Sequence, residues 1–80
     1  MIFFWDAVNL AEITAHGVDT STAEAIFKAP DLRIKDCGMN RFLAEGTVRS
    51  STYRAPFSKV FPEGMRIVTT FRIHSKRRKI

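Results

Sequence analysis

The stretch Met65–Ile73 constrains the fold most, because its side chains divide into two unlike sets. Successive side chains of a β-strand point to opposite faces of the sheet. One face of the predicted strand is largely apolar and consists of Met65, Ile67, Thr69, Phe71 and Ile73. The other face carries two arginines and, just beyond the stretch, a histidine: Arg66, Val68, Thr70, Arg72 and His74. Guanidinium groups suit phosphate oxygens and an imidazole exchanges a proton near neutral pH, so this face has the chemistry of a phosphodiester site.

The amino-terminal patterns predict a short strand followed by a helix. The apolar segment 2–5 reads as the strand, and Asp6 is a good N-cap for a helix that runs to about His16. Gly17 stands where a left-handed residue commonly ends a helix, and Val18 is placed to fold back onto the last turn.

A second short helix and then strands follow. Ser21 and Glu24 have capping-box spacing, and Pro30 ends the helix. Strand patterns lie at 32–35, 41–49, 57–61 and from 65 onward, with a long connection from Thr47 to Ser58. We therefore predict an α+β fold in the order β-α-α-β-β-β-β, with about four antiparallel strands after the helices.

The net charge of +5 is unevenly distributed along the chain. Residues 1–40 hold three basic against six acidic residues, whereas residues 41–80 hold ten against two. This asymmetry favours a polyanionic partner, nucleic acid first, with an acidic protein or a solvated basic surface as the alternatives.

Length and composition fit one small domain over residues 1–80, and its 45% of apolar residues is too high for a disordered chain. The single cysteine, Cys37, excludes an internal disulfide, and it has no neighbours at metal-ligand spacing, so no metal or cofactor is expected. Only four strongly apolar residues open the chain, at 2–5, so we expect neither a signal peptide nor a membrane span, and a cytoplasmic location.

Several different short motifs follow one another along essentially the whole chain. The first is WD..NL.....HGV, over Trp5–Val18; the others are Glu24, Phe27 and Pro30, then Arg41 and Gly46, then MRIVTTFR over Met65–Arg72. In this order and spacing they resemble the BrnT family of bacterial toxins, which are ribonucleases of type II toxin–antitoxin systems. The resemblance implies a RelE-like fold, cleavage of RNA, and neutralisation by a DNA-binding antitoxin, usually encoded beside the toxin.

A ribonuclease of this kind must orient the 2′-hydroxyl of RNA, remove its proton, stabilise the phosphoryl charge and protonate the leaving oxygen, and it needs no metal. The catalytic candidates are His74, Arg72, His16 and Arg66, of which His16 owes its place largely to the resemblance. The RNA-binding candidates are Arg41, Arg49, Tyr53, Arg54, Lys76, Arg77, Arg78 and Lys79.

Two alternatives to an active ribonuclease stay open, and departures from the family pattern favour the first. Ala15 stands where the family usually has Lys or Arg, and the segment 75–80 replaces a closing helix. The first alternative is a catalytically inactive module that binds RNA or an acidic protein. The second is a structural partner that mainly binds an antitoxin, expected to be a ribbon-helix-helix protein.

Overall fold

The computed structural model describes residues 2–73. Its elements are β1 (Ile2–Phe3), α1 (Ala7–Ala15), α2 (Thr20–Ala25), a 3₁₀ turn (Ile26–Lys28), β2 (Arg33–Gly38), β3 (Arg41–Val48), β4 (Ser51–Val60), β5 (Gly64–Ile67) and β6 (Phe71–Arg72). The predicted α+β class and the order of strand, two helices and then strands are confirmed.

Within the described residues the strands form one sheet in the order β1-β5-β4-β3-β2, and β6 also pairs with β4. The neighbours β2 to β6 pair antiparallel, whereas β1 lies parallel to β5, so the sheet is mixed. The predicted connection from Thr47 to Ser58 is wrong over most of its length, because β4 runs through it as a strand of ten residues.

Local sequence signals set both ends of α1. The Asp6 side chain accepts hydrogen bonds from the N–H groups of Val8 and Asn9, as an N-cap should. At the other end Gly17 has φ +72°, and the N–H groups of Gly17 and Val18 reach the carbonyls of Thr14 and Ile13 at 2.9 Å. This pair of bonds is the Schellman motif, and it fixes where the chain leaves the helix.

The second helix begins earlier than predicted. Its N-cap is Asp19, whose carboxylate accepts from the N–H of Thr22, rather than Ser21. That hydrogen bond is the main reason that the pKa of Asp19 lies below its ordinary value, and the charge of Arg49 also lowers it.

The core lies between the helices and one face of the sheet. Its buried residues are Ile13, Val18, Ala23, Ile26, Phe27, Ala44, Ala55, Phe57, Met65 and Ile67. At Gly46 a Cβ would stand 3.0 Å from the carbonyl oxygen of Ile26 and from the Cβ of Ala29. The end of the helical segment therefore rests directly on β3, and a side chain at this position would force its neighbours to move by a few tenths of an ångström.

The last strand is interrupted by a β-bulge. Phe57 of β4 is opposite Ile67, but Arg54 is opposite Phe71, so three residues of one strand, 68–70, face two of the other. Pro56 lies in this interval and has no N–H, although its carbonyl accepts from the N–H of Val68 at 2.8 Å. The ladder lacks a donor there, which is why the pairing slips by one residue.

No helix among residues 2–73 is long and apolar enough to cross a membrane.

Candidate functional site

The bulge changes which side chains share a face, so the predicted polar face is wrong over 66–72. A slip of one residue sends every later side chain to the opposite face. Thr70 is fully buried, whereas Val68 is 44% exposed. Arg72 is opposite Tyr53, which packs against the core, so Arg72 lies on the helix side of the sheet and Arg66 does not.

This shift brings three of the candidate residues to one cleft. The cleft has a volume of about 320 Å³ and lies where the end of α1 meets β4 and β6. It is lined by His16, Gly17, Val18, Tyr53, Phe71 and Arg72. Residues that carry an imidazole, a phenol and a guanidinium group therefore border one small, largely polar space.

His16 is held at the cleft by the end of α1. It is the C-cap residue, its N–H donates to the carbonyl of Ile13, and its exposed ring lies 5.8 Å from the ring of Phe71. The left-handed turn at Gly17 follows at once, and a Cβ there would meet no atom within 4 Å. The imidazole thus stands beside open space rather than inside the core.

Arg72 is the cation of the cleft. Among residues 2–73 the ion pairs are Arg54 with Glu45 and Arg66 with Asp6, so neither of them engages Arg72. An exposed guanidinium that no carboxylate of residues 2–73 neutralises is suited to an anionic ligand such as a phosphate.

Arg66 has a structural contact instead. Its guanidinium lies 3.0 Å from the carboxylate of Asp6 at the start of α1. The N–H of Asn9 is the largest cause that holds the pKa of Asp6 below its ordinary value, and Arg66 adds to that effect. The predicted pairing of Arg66 with Arg72 around one phosphate is not what the strand provides.

The other candidates of the described region do not line the cleft. Arg54 binds Glu45 at 3.1 Å on the opposite face of β4, and Arg49 donates to the hydroxyl of Thr22 at 2.8 Å. Arg41 begins β3 and stands five residues before Gly46, which pairs with Tyr53 of the cleft. Arg41 therefore lies about 17 Å along the strand from the position of Gly46.

Five candidates lie outside the described residues: His74, Lys76, Arg77, Arg78 and Lys79.

Phe71 is the cleft residue that the sequence reading missed. Strict alternation assigned it to the buried face, yet it is only partly buried and borders the cleft with His16. The signal that marks this change is Pro56, since proline inside a paired strand is typical of a bulge.

Other features of the described region offer less chemistry. A larger cleft of about 520 Å³ at the β4–β5 turn is lined by residues 59–65, which include one lysine and one glutamate but no histidine or arginine. Among residues 2–73 no three His, Cys, Asp or Glu side chains come together as metal ligands would.

Comparisons with models of protein families, with characterised proteins and with solved structures found no match to this chain. The fold and the cleft therefore define a small α+β protein with a basic, histidine-containing cleft, and the function rests on the chemistry of that cleft.

Proposed function

We propose that this protein is a metal-independent endoribonuclease whose active site is the cleft between the end of α1 and strands β4 and β6. The observation that carries the proposal is that His16, Tyr53 and Arg72, three residues far apart in sequence, line one cleft of about 320 Å³. The excess of basic residues in 41–80 supports a polyanionic substrate.

The reaction uses the nucleophile that RNA itself supplies. The 2′-oxygen attacks the adjacent phosphorus, the bond from phosphorus to the 5′-oxygen breaks, and the products end in a 2′,3′-cyclic phosphate and a 5′-hydroxyl. Neutral His16 takes the proton of the 2′-hydroxyl, the role that imidazole performs best near neutral pH. Tyr53, which lines the same cleft, supplies a hydroxyl as the proton donor for the departing 5′-oxygen.

Arg72 binds the phosphate and stabilises the charge that develops on its oxygens. A guanidinium donates two parallel N–H bonds to a phosphate, and such contacts strengthen as negative charge accumulates in the transition state. His74 follows Arg72 by two residues and stays a prediction as a further acid or base. Lys76, Arg77, Arg78 and Lys79 stay predictions as sequence-independent phosphate contacts.

The toxin role belongs to the same proposal. The motif order over Trp5–Arg72 resembles BrnT toxins, so the expected partner is a ribbon-helix-helix antitoxin. Tightly induced expression in bacteria should arrest growth and create new RNA 5′ ends, and co-expression of a small DNA-binding protein encoded next to this chain should relieve the arrest.

The decisive test is cleavage of a labelled RNA by the purified full chain in the presence of EDTA. We expect products with 2′,3′-cyclic phosphate ends, and a rate about 10²- to 10⁴-fold lower for His16→Ala, the usual range for loss of an acid–base group. Arg72→Ala should lose more cleavage than Arg66→Ala, because Arg66 binds Asp6 rather than facing the cleft. Arg33→Ala, which removes an exposed cation on β2, is the matched control.

Folded protein that cuts no RNA would overturn the enzymatic proposal. If that protein still binds RNA, with an affinity that falls steeply with salt, the inactive binding module is the better description. Cleavage that survives His16→Ala at full rate would move the active site away from the cleft.

A further inference from the structure

Strand β2 is an open edge of the sheet. It stands last in the order β1-β5-β4-β3-β2, and among residues 2–73 it pairs only with β3. All six of its residues, Arg33–Gly38, are exposed, whereas β3, β4 and β5 each contain buried residues. Alternate residues of such a strand direct their backbone N–H and C=O groups away from the neighbouring strand, so β2 offers a ladder on which a further strand can pair.

Two cations stand on one face of this edge. Arg33 and Lys35 are opposite Glu45 and Leu43 of β3, which places them on the face of the sheet away from the helices. Together with Arg54 these residues border a cleft of about 350 Å³. The two positive charges are spaced by two residues, about 7 Å along the strand, which is also the spacing of alternate side chains on a neighbouring strand.

The acidic side chains near these cations have partners of their own. Glu45 binds Arg54 at 3.1 Å, and neither ion pair among residues 2–73 includes a cation of β2. The carboxylate of Asp31 accepts from the N–H and the hydroxyl of Thr47 at 2.9 and 2.6 Å. That hydroxyl is the main cause that lowers the pKa of Asp31, and the charge of Arg33 adds to the effect. Within the described residues both cations of β2 are therefore available to an anionic partner.

The other face of β2 is apolar at its centre. Ile34 is opposite Ala44, which is fully buried, yet Ile34 itself is 52% exposed. An apolar side chain on a further strand would cover Ile34 and extend the core by one position. Asp36, the next residue on this face, accepts from the N–H of Gly38 at 2.8 Å.

A second copy of the chain does not fit this edge. When two copies of a strand pair antiparallel about a two-fold axis, one residue stands opposite its own copy. Pairing centred on Arg33, Lys35 or Asp36 sets that charge against itself. Pairing centred on Ile34 sets Arg33 against Lys35 of the copy. Like charges directly opposite are destabilising, and a centre outside 33–36 leaves at most three residues of β2 paired with those of the copy.

We propose that β2 pairs with an extended segment of another protein in which acidic and apolar side chains alternate. Two acidic side chains lie opposite Arg33 and Lys35, and the apolar side chain between them covers Ile34. The backbone of the segment continues the ladder of β2, so that the sheet gains a strand. This surface is separate from the cleft at the end of α1, because β3 lies between β2 and β4. The proposal therefore does not depend on the proposed function.

The experiment measures binding of labelled, capped seven-residue peptides to the full chain by fluorescence anisotropy. The probe peptide alternates Glu and Val and begins and ends with Glu. One control replaces each Glu by Lys, and another has the residues of the probe arranged as a block of Glu and a block of Val. Two further controls are the probe with N-methyl groups on its odd or on its even residues, since only one of these sets points its N–H groups at β2.

We expect the probe to bind more tightly than the Lys peptide and the block peptide. One N-methylated version should bind about 10-fold or more weakly than the probe, because it loses the backbone hydrogen bonds, and the other should bind nearly as well. In the complex, amide hydrogen exchange should slow at alternate residues of β2, while the resonances of His16 stay unchanged.

A charge reversal on β2 locates the acidic side chains of the partner. Lys35→Glu should weaken binding of the probe about 3- to 10-fold and should strengthen binding of the Lys peptide. Lys59→Glu is the matched control, because it makes the same change of charge at an exposed position of β4 and should alter neither affinity by more than about 2-fold. Circular dichroism checks the fold of both variants.

No binding of the probe to the folded chain at about 1 mM peptide would overturn the proposal, and so would equal binding of both N-methylated versions and the probe. An oligonucleotide with as many charges as the probe that binds β2 equally tightly would mean that the edge recognises charge alone, and would overturn it as well. None of these peptide results bears on RNA cleavage in the cleft, which His16→Ala tests separately.

Discussion

Asn9 shows how much of the structure depends on one polar side chain. It is fully buried, its amide donates to the carbonyls of Phe4 and Ile67 at 2.9 Å, and its oxygen accepts from the N–H of Asp6 at 2.7 Å. It therefore ties the exit of β1, the start of α1 and the end of β5 together. Every one of these partners is a backbone group that has to be satisfied once it is buried.

We expect Asn9→Ala to lower the free energy of unfolding by about 2 to 4 kcal/mol, because two carbonyls and one N–H lose their partner. Urea denaturation measures the change. The matched control is Asn40→Gly, which removes two hydrogen bonds to the backbone of Lys59 from an exposed turn and keeps the left-handed φ of +57° accessible. Its cost should be about 1 kcal/mol or less, and an equal loss in both variants would contradict this account of Asn9.

Local signals at the residue scale were readable from the sequence. Asp6 as a helix N-cap and Gly17 as the left-handed end of α1 act through near neighbours, and the structure confirms both. The role of Asn9 was not readable, because one of its partners, the carbonyl of Ile67, lies 58 residues away. Leu10 is 38% exposed although it is apolar, and its neighbour Asn9 takes the buried position.

At the scale of elements, the bulge at 68–70 determines what the last strand presents. It turns Thr70 into the core, so that the Thr70 hydroxyl is buried and has no hydrogen-bond partner among the described residues. The same slip carries Arg72 to the helix side. The cleft thus exists because β5 and β6 pair with β4 in registers that differ by one residue.

Replacing Thr70 by valine, which has almost the same shape, should raise the free energy of unfolding by about 1 kcal/mol, since it removes the cost of burying an unpaired hydroxyl. Thermal or urea unfolding gives the value. Thr22→Val is the control of opposite sign, because the Thr22 hydroxyl accepts a hydrogen bond from Arg49. If Thr70→Val were as destabilising as Thr22→Val, the hydroxyl of Thr70 would have a partner and the bulge would be misdescribed.

The sequence predicted the helices and the order of elements better than the sheet. Polar residues and Pro56 made 51–56 resemble a connection, yet pairing with β3 on one side and with β6 on the other makes this stretch part of a strand. Strand register depends on contacts between distant segments, so alternation within 65–73 alone could not reveal the slip. For the site, the sequence analysis selected His16, Tyr53 and Arg72. It grouped Arg72 with Arg66 on one face and placed Phe71 on the apolar face, and the structure supports neither assignment.

At the scale of the whole molecule, the basic residues occupy several surfaces rather than one. Arg72 lies in the cleft, Arg54 pairs with Glu45 on the opposite face of the sheet, and Arg41 lies toward the far end of β3. Net charge in residues 41–80 therefore favours a polyanionic partner without locating where it binds. The cleft differs from the other basic surfaces because His16 and Tyr53 line it together with Arg72.

Acid should destabilise the molecule through a small set of carboxylates. Asp31 has its pKa lowered chiefly by the Thr47 hydroxyl, Asp19 by the N–H of Thr22, and Asp6 by the N–H of Asn9. Each carboxylate is more acidic when folded than its ordinary value of 3.8, so its stabilising contribution is present above that pH and is lost as the pH falls through the lower, folded value.

We therefore expect the free energy of unfolding to fall below about pH 4, measured by urea titrations at several pH values. The double variant Asp19→Asn, Asp31→Asn should be less stable near neutral pH and should lose less stability on acidification. Glu12→Gln, which removes one carboxylate from the exposed side of α1, controls for the change in net charge. A chain that gains stability between pH 5 and pH 3 would contradict these three assignments.

The most direct test of the central claim is an NMR titration of the isotopically labelled chain with a non-cleavable 2′-O-methyl oligonucleotide. We expect the His16 imidazole and the amides of Gly17, Tyr53, Phe71 and Arg72 to shift first and most, because these residues line the cleft. Shifts confined to the sheet face around Arg33, Lys35 and Arg54, with His16 unchanged, would mean that RNA binds elsewhere and that the cleft is not the active site.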